Sequence, residues 1–161
     1  MITATVPHPT IKDSGNRRQF DTGAVRDMAD DKGRCDLMPL EVVAKVLKKN
    51  SPEDEIIHDI ANFLEFGATT YLYHALDEFA DIAYGGSKET MFLEVAKHFA
   101  DGAKKYGENN WQKGLPPSCY MDSAVRHYLK YHRGDTDEPH NRRFVWNIMC
   151  CIWEVNHHNE R

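Results

Sequence analysis

Residues 88–147 read KETMFLEVAKHFADGAKKYGENNWQKGLPPSCYMDSAVRHYLKYHRGDTDEPHNRRFVWN. This stretch decides the fold class, because it resolves into two amphipathic helices and the start of a third. In the first helix Phe92, Val95, Ala96, Phe99, Ala103 and Tyr106 recur at the three-and-four spacing of a buried face. Beside them Glu94, His98, Asp101 and Lys105 are spaced four, three and four, so they stack along one side of the same helix. A solvated charged face is the ordinary meaning of such a stripe. Gly102 argues for more, because glycine inside a helix costs about 1 kcal/mol relative to alanine and is favoured where a backbone or a ligand comes close.

Beyond Gly107 a polar loop carries Asn110 and Trp111, and a tryptophan there is either a core plug or a stacking surface for a base. Ser118 is the expected cap of the second helix, which turns Met121, Ala124, Val125, Tyr128 and Leu129 inward and stops at Gly134. Asp122 and Arg126 on it form at least an ordinary pair one turn apart, followed by His127. The last helix buries Phe144, Ile148, Ile152 and Val155, and its His140, Arg143 and Asn147 form a second polar stripe. Two facing polar stripes can enclose a polyphosphate and its metal.

Upstream, Pro39 opens a helix with Leu40, Val43, Ala44, Val46 and Leu47 on its inner face. Ser51-Pro52-Glu53-Asp54 reads as a helix start with Ser51 as the capping hydroxyl. Ile56, Ile57, Ile60, Phe63 and Leu64 line that helix up to Gly67. A further helix over about 69–83 buries Leu72, Ala75, Leu76, Phe79 and Ile82 and ends at Gly85-Gly86. Residues 14–39 are polar and rich in arginine, including Arg26 and Arg34, and read as a solvated loop or a lid carrying guanidinium groups for phosphate oxygens. Residues 1–13 lack periodicity and are expected to be a disordered arm.

The whole is expected to be an all-α, single-domain helical bundle over residues 14–157, with 51–86 as a possible insertion. A chain of 161 residues is long enough for one core. Its net charge of -5 gives no overall basic field for nucleic acid. No apolar run approaches a membrane span and no signal pattern opens the sequence, so the expected location is the cytoplasm. The four cysteines lack zinc spacing and are expected to be reduced, mostly buried thiols. Assembly as a homo-oligomer is compatible with the sequence.

The strings FDTGAVRD, GRCDLMPL, LEVAKHFADGAKKYGENNWQKG, MDSAVRHYLKYHRGDTDEPH and FVWN, in this order, resemble the phage-type dATP/dGTP diphosphohydrolase domain family. The resemblance implies hydrolysis of a purine deoxynucleoside triphosphate to monophosphate and pyrophosphate with a divalent metal. It also implies a helical fold similar to the MazG-like pyrophosphohydrolases. The residues suit that chemistry. Glu94, Asp101 and Asp122 are the expected ligands of Mg2+, with Mn2+ as an alternative, since hard cations take oxygen donors. Lys105 and His127 complete the expected catalytic set. Arg26, Arg34, Lys104, Asn110, Trp111, Arg126, His140 and Asn147 are the expected substrate contacts. A second enzyme reading is an HD-type phosphohydrolase in which His98, His127, His140 and an aspartate hold the metal. A third reading is a helical binding or assembly protein without catalysis. Convergence of the carboxylates, of the histidines, or of neither separates the three.

Overall fold

The computed structural model describes residues 17–27 and 31–158, and the arm expected over residues 1–13 lies outside them. Six helices make up the bundle: α1 (Leu40–Leu47), α2 (Glu55–Phe66), α3 (Thr70–Ala83), α4 (Lys88–Tyr106), α5 (Pro117–Arg133) and α6 (His140–His157). Ahead of them an antiparallel hairpin pairs β1 (Arg17–Gln19) with β2 (Val25–Asp27), in a register that sets Arg18 opposite Arg26. The chain is therefore all-α apart from this hairpin. No helix among the described residues is long and apolar enough to cross a membrane.

Helix ends follow local chemistry. Gly67 and Gly134 close α2 and α5 in the left-handed conformation that glycine adopts without a Cβ clash. The cap of α2 is Asp54, whose Oδ1 accepts from the Ile57 amide at 2.9 Å, and Ser51 instead donates to the Glu53 carbonyl. The expected Ser51 cap is thus displaced by three residues. Likewise α5 starts at Pro117 with no side-chain cap, so Ser118 lies inside its first turn.

One core runs through the bundle, joining Leu40, Ile57, Phe79, Met121, Phe144 and Ile148 among others. Residues 51–86, read as a possible insertion, supply Ile56, Ile60, Phe63, Leu72 and Ala75 to this same cluster. The central axis is α5 against α6. Phe79 of α3 meets Phe144 of α6 at 4.4 Å between ring centroids and Tyr128 of α5 at 6.2 Å. Cys150 and Cys151 are buried, and Cys35 and Cys119 are half-buried free thiols.

The phase of α4 differs from the expectation. Met91, Val95 and His98 face inward, whereas Phe92 and Leu93 are exposed. The helix is rolled so that its polar stripe, not its widest apolar face, meets α6. Ile82, expected inside α3, is also exposed, with Ala80 buried in its place.

Asp54 serves two elements, since its Oδ2 also accepts from the Tyr128 hydroxyl of α5 at 2.6 Å. Asp54→Ala is expected to lower the unfolding free energy by about 2 kcal/mol, the loss of a cap plus an interhelical hydrogen bond. Denaturant unfolding measures this, and Ser51→Ala should be almost silent in the same assay.

Candidate functional site

Arg26 of β2 is the centre of the polar interior. Its Nη2 donates to Ser123 Oγ of α5 and to Asn147 Oδ1 of α6, both at 2.8 Å, while Nη1 is buried with no partner. The guanidinium lies 5.8 Å from the Tyr120 ring centroid and 5.7 Å from that of Trp146. Arg26 forms no ion pair among the described residues. Burial pushes its pKa down, and the next cause in size is another cation, Arg143.

Two more unsatisfied donors or acceptors lie in this region. His98 Nδ1 and Arg143 Nε are buried without hydrogen-bond partners. Desolvation, reinforced by Arg143, Arg26, Arg142 and Lys105, holds the His98 imidazole down to about 3, so it is neutral. The positive field of four basic side chains thus converges on one neutral ring. This is an electropositive basin inside a chain of net negative charge.

The basin is built by long-range pins. Asn110 clamps the hairpin, its Nδ2 donating to the Val25 carbonyl at 2.8 Å and its Oδ1 accepting from the Val25 amide at 2.9 Å. Asn147 braces the other side by donating to the Arg143 carbonyl at 2.7 Å. Asp122 accepts from the Cys35 amide and from Arg126 Nη2, both at 2.7 Å, and Arg126 Nη2 also donates to the Gly33 carbonyl at 2.9 Å. That pair fastens the segment before α1 onto α5.

These contacts redistribute the expected roles. Glu94 receives both Nε and Nη2 of buried Arg142 on one oxygen and Lys97 on the other, so it ties α4 to α6. Asp101 is half-buried and carries no ion pair among the described residues. Glu94, Asp101 and Asp122 do not form a group able to hold one ion. Their ligand atoms do not converge within reach of a single ion, and Glu94 and Asp122 each also hold a guanidinium group. Asn110 has both ends of its amide taken by backbone, and Arg34 makes an exposed bidentate pair with Asp36 at 2.8 Å, away from the basin. Arg126 is engaged through Nη2, while its Nε is buried without a hydrogen-bond partner. Lys104 is exposed, and Lys105 is half-buried.

Trp111 is half-buried and packed against the core. It packs edge-on against Trp153 at 5.0 Å and Phe99 at 5.6 Å, and with Phe99, Gly102, Tyr106 and Trp146 it lines a cavity of about 190 Å³. Among the described residues no atom outside the helix lies within 4 Å of where a Gly102 Cβ would stand. No backbone approaches there, and the glycine instead borders this cavity. Trp146 is shared between cavity and basin, so an aromatic slot adjoins the cationic one.

His127 and His140, expected in catalysis and substrate contact, meet each other instead, with their Nδ1 atoms 2.9 Å apart. His140 Nε2 lies 2.8 Å from Asp137 Oδ1, and Arg143 pairs with Glu138. Site residues missing from the sequence-based set are His98, Ser123, Glu138, Arg142 and Arg143. His98 and Arg143 were members of the two polar stripes, and that spacing was the available signal.

Two consequences are measurable. Glu94→Gln leaves buried Arg142 without its carboxylate, and is expected to destabilise the fold by about 1–3 kcal/mol in thermal unfolding. His98 takes its proton near 6.5 when unfolded but only near 3 when folded, so its contribution to stability is full above about 6.5 and is lost as pH falls toward 3. Burial shifts His127 in the same direction. His98→Asn should therefore make the acid loss of stability shallower between pH 6.5 and 4, read from unfolding curves across pH.

Residues 88–161 match the model of the family described as dATP/dGTP diphosphohydrolase, N-terminal. The matched stretch starts at α4 and includes α5 and α6, and so carries every basin residue except those of the hairpin. No curated protein and no solved structure matches the chain.

Proposed function

We propose, from the match of residues 88–161 to the model described as dATP/dGTP diphosphohydrolase, N-terminal, that this protein hydrolyses purine deoxynucleoside triphosphates to the monophosphate and pyrophosphate. The observation that carries this reading is the buried guanidinium of Arg26, whose Nη1 has no partner and which lies in the field of a second cation, Arg143, whose Nε is also unpartnered. Burying a charge costs several kcal/mol unless it is compensated. A triphosphate, with about four negative charges, supplies that compensation and accepts the unused N–H donors.

In this reading Arg26, Arg143 and Lys105 receive the phosphates, with Ser123 and Asn147 fixing the Arg26 fork. The purine stacks in the slot beside Trp111 and Trp146. Water attacks phosphorus, the bond to the pyrophosphate oxygen breaks, and the surrounding cations stabilise the charge that develops on the leaving group. Asp101 is the carboxylate of the α4 stripe that remains to accept the water proton. Magnesium, or manganese in its place, would be held chiefly by the phosphate oxygens and would supply charge stabilisation there, since Glu94, Asp101 and Asp122 do not converge on one ion. The nucleotide is the proposed partner.

The histidine-centred alternative draws support from one observation, the contact of His127 with His140. Product analysis separates the two. Incubation with a panel of nucleoside triphosphates should yield dAMP or dGMP plus pyrophosphate, whereas deoxynucleoside plus tripolyphosphate would favour the HD-type reaction. Arg26→Met should lower kcat/KM by tenfold or more, about 1.4 kcal/mol or greater, while the fold is as stable as before or more so. Arg34→Ala should leave kcat/KM unchanged. Equal activity of Arg26→Met and the unsubstituted protein would remove the basis of this reading.

A further inference from the structure

Next to the cationic basin, where α5 meets the start of α6, His127, Glu138 and His140 are all buried. Each offers a ligand atom, and these atoms lie within 4.8 Å of one another. The two rings are nearly parallel, 26° apart, with Nδ1 facing Nδ1 at 2.9 Å. A neutral imidazole has one N–H and one lone pair. Asp137 faces His140 Nε2 at 2.8 Å, and an ionised carboxylate only accepts, so the His140 proton sits on Nε2. His140 Nδ1 therefore presents a lone pair to His127. A carboxylate behind a histidine in this way fixes the tautomer of metal-ligating imidazoles.

Glu138 separates an ion site from a plain hydrogen bond between two rings. A pair of neutral imidazoles has no need of a buried anion within ligand distance. Glu138 Oε1 receives Arg143 Nη1, yet a carboxylate has about four lone-pair positions, so this ion pair does not exhaust it. Asp137 and Glu138 bring two carboxylates to the cluster, which offset the positive fields that Arg143, Lys130 and Arg26 exert on His127.

We propose that His127, His140 and Glu138 form a binding site for a divalent transition-metal ion, with Asp137 orienting His140. Two imidazoles and one carboxylate suit zinc, cobalt or manganese rather than magnesium, which prefers oxygen donors throughout. Three protein ligands leave a position open for water or an anion. The open position would adjoin Arg143, which borders both the cluster and the basin. The site rests on these side chains alone and is independent of the nucleotide reaction proposed above.

The test uses the full chain, stripped with chelator and titrated with Co2+, following the visible absorption of nitrogen-ligated cobalt and the metal content after dialysis. A single ion per chain is expected. His127→Ala and His140→Ala should each abolish it, and Asp137→Asn should weaken it about 10- to 100-fold. His74→Ala, in the partly exposed Glu55, His74 and Glu78 group, should leave it unchanged. In the unsubstituted protein, Zn2+ should shift the imidazole nitrogen signals of His127 and His140, which decides the matter even if a variant fails to fold. Absence of bound cobalt, retention of the ion by both histidine variants, or zinc shifts at other histidines only would overturn the proposal.

Discussion

The constraint on which this structure depends is an arginine buried without an anion. Arg26 arrives on a two-stranded hairpin and enters the interface of α5 and α6, where only neutral oxygens and aromatic faces receive it. Cation–π attraction and two hydrogen bonds offset part of the lost hydration, but Nη1 is left with nothing. Such an arrangement survives only if the surroundings hold it in place. Asn110 therefore clamps both backbone groups of Val25, and Asn147 binds the guanidinium with one end of its amide and the Arg143 carbonyl with the other. The stability for this comes from the apolar core on the other side of the bundle.

The acids reinforce the same design by being spent on other cations. Glu94 takes Arg142, Asp122 takes Arg126, Glu138 takes Arg143 and Asp36 takes Arg34. The first of these ties α4 to α6, the second stands where Asp122 and Arg126 also hold the Cys35 amide and the Gly33 carbonyl, and the other two are local. None of these carboxylates is the partner of Arg26. A protein with net charge -5 thus keeps a positive interior, and the sign of the site follows from pairing geometry rather than composition.

The helices were readable because their signals are local: proline in a first turn, glycine past a last one, apolar residues at helical spacing. The α4 stripe was readable too, but not its direction. Periodicity identifies two faces and cannot say which meets the protein, and here the polar one does, with Phe92 and Ala96 left exposed. The hairpin escaped notice because its strands are three residues each and largely polar. The contacts that fix the candidate site residues are long-range and leave no local signal. Asn110 meets Val25 across 85 positions, Asp122 meets Cys35 across 87, and Arg26 meets Asn147 across 121. An aspartate four residues before an arginine looks the same whether it serves a metal or a loop amide.

The first turn of α6 brings the two chemistries together. His140 and Arg143 are three residues apart and Asn147 four further on, so one side of the helix presents an imidazole, a guanidinium and an amide in succession. His140 turns toward His127 and Asp137, Asn147 toward Arg26, and Arg143 between them pairs with Glu138 through Nη1 while its Nε is unpaired. A negative group entering the basin would therefore compete with Glu138 for the same guanidinium. Arg143 thus stands between the pair it makes with Glu138 and the basin its Nε borders, and the three-and-four spacing of α6 is what allows a single helix to carry both.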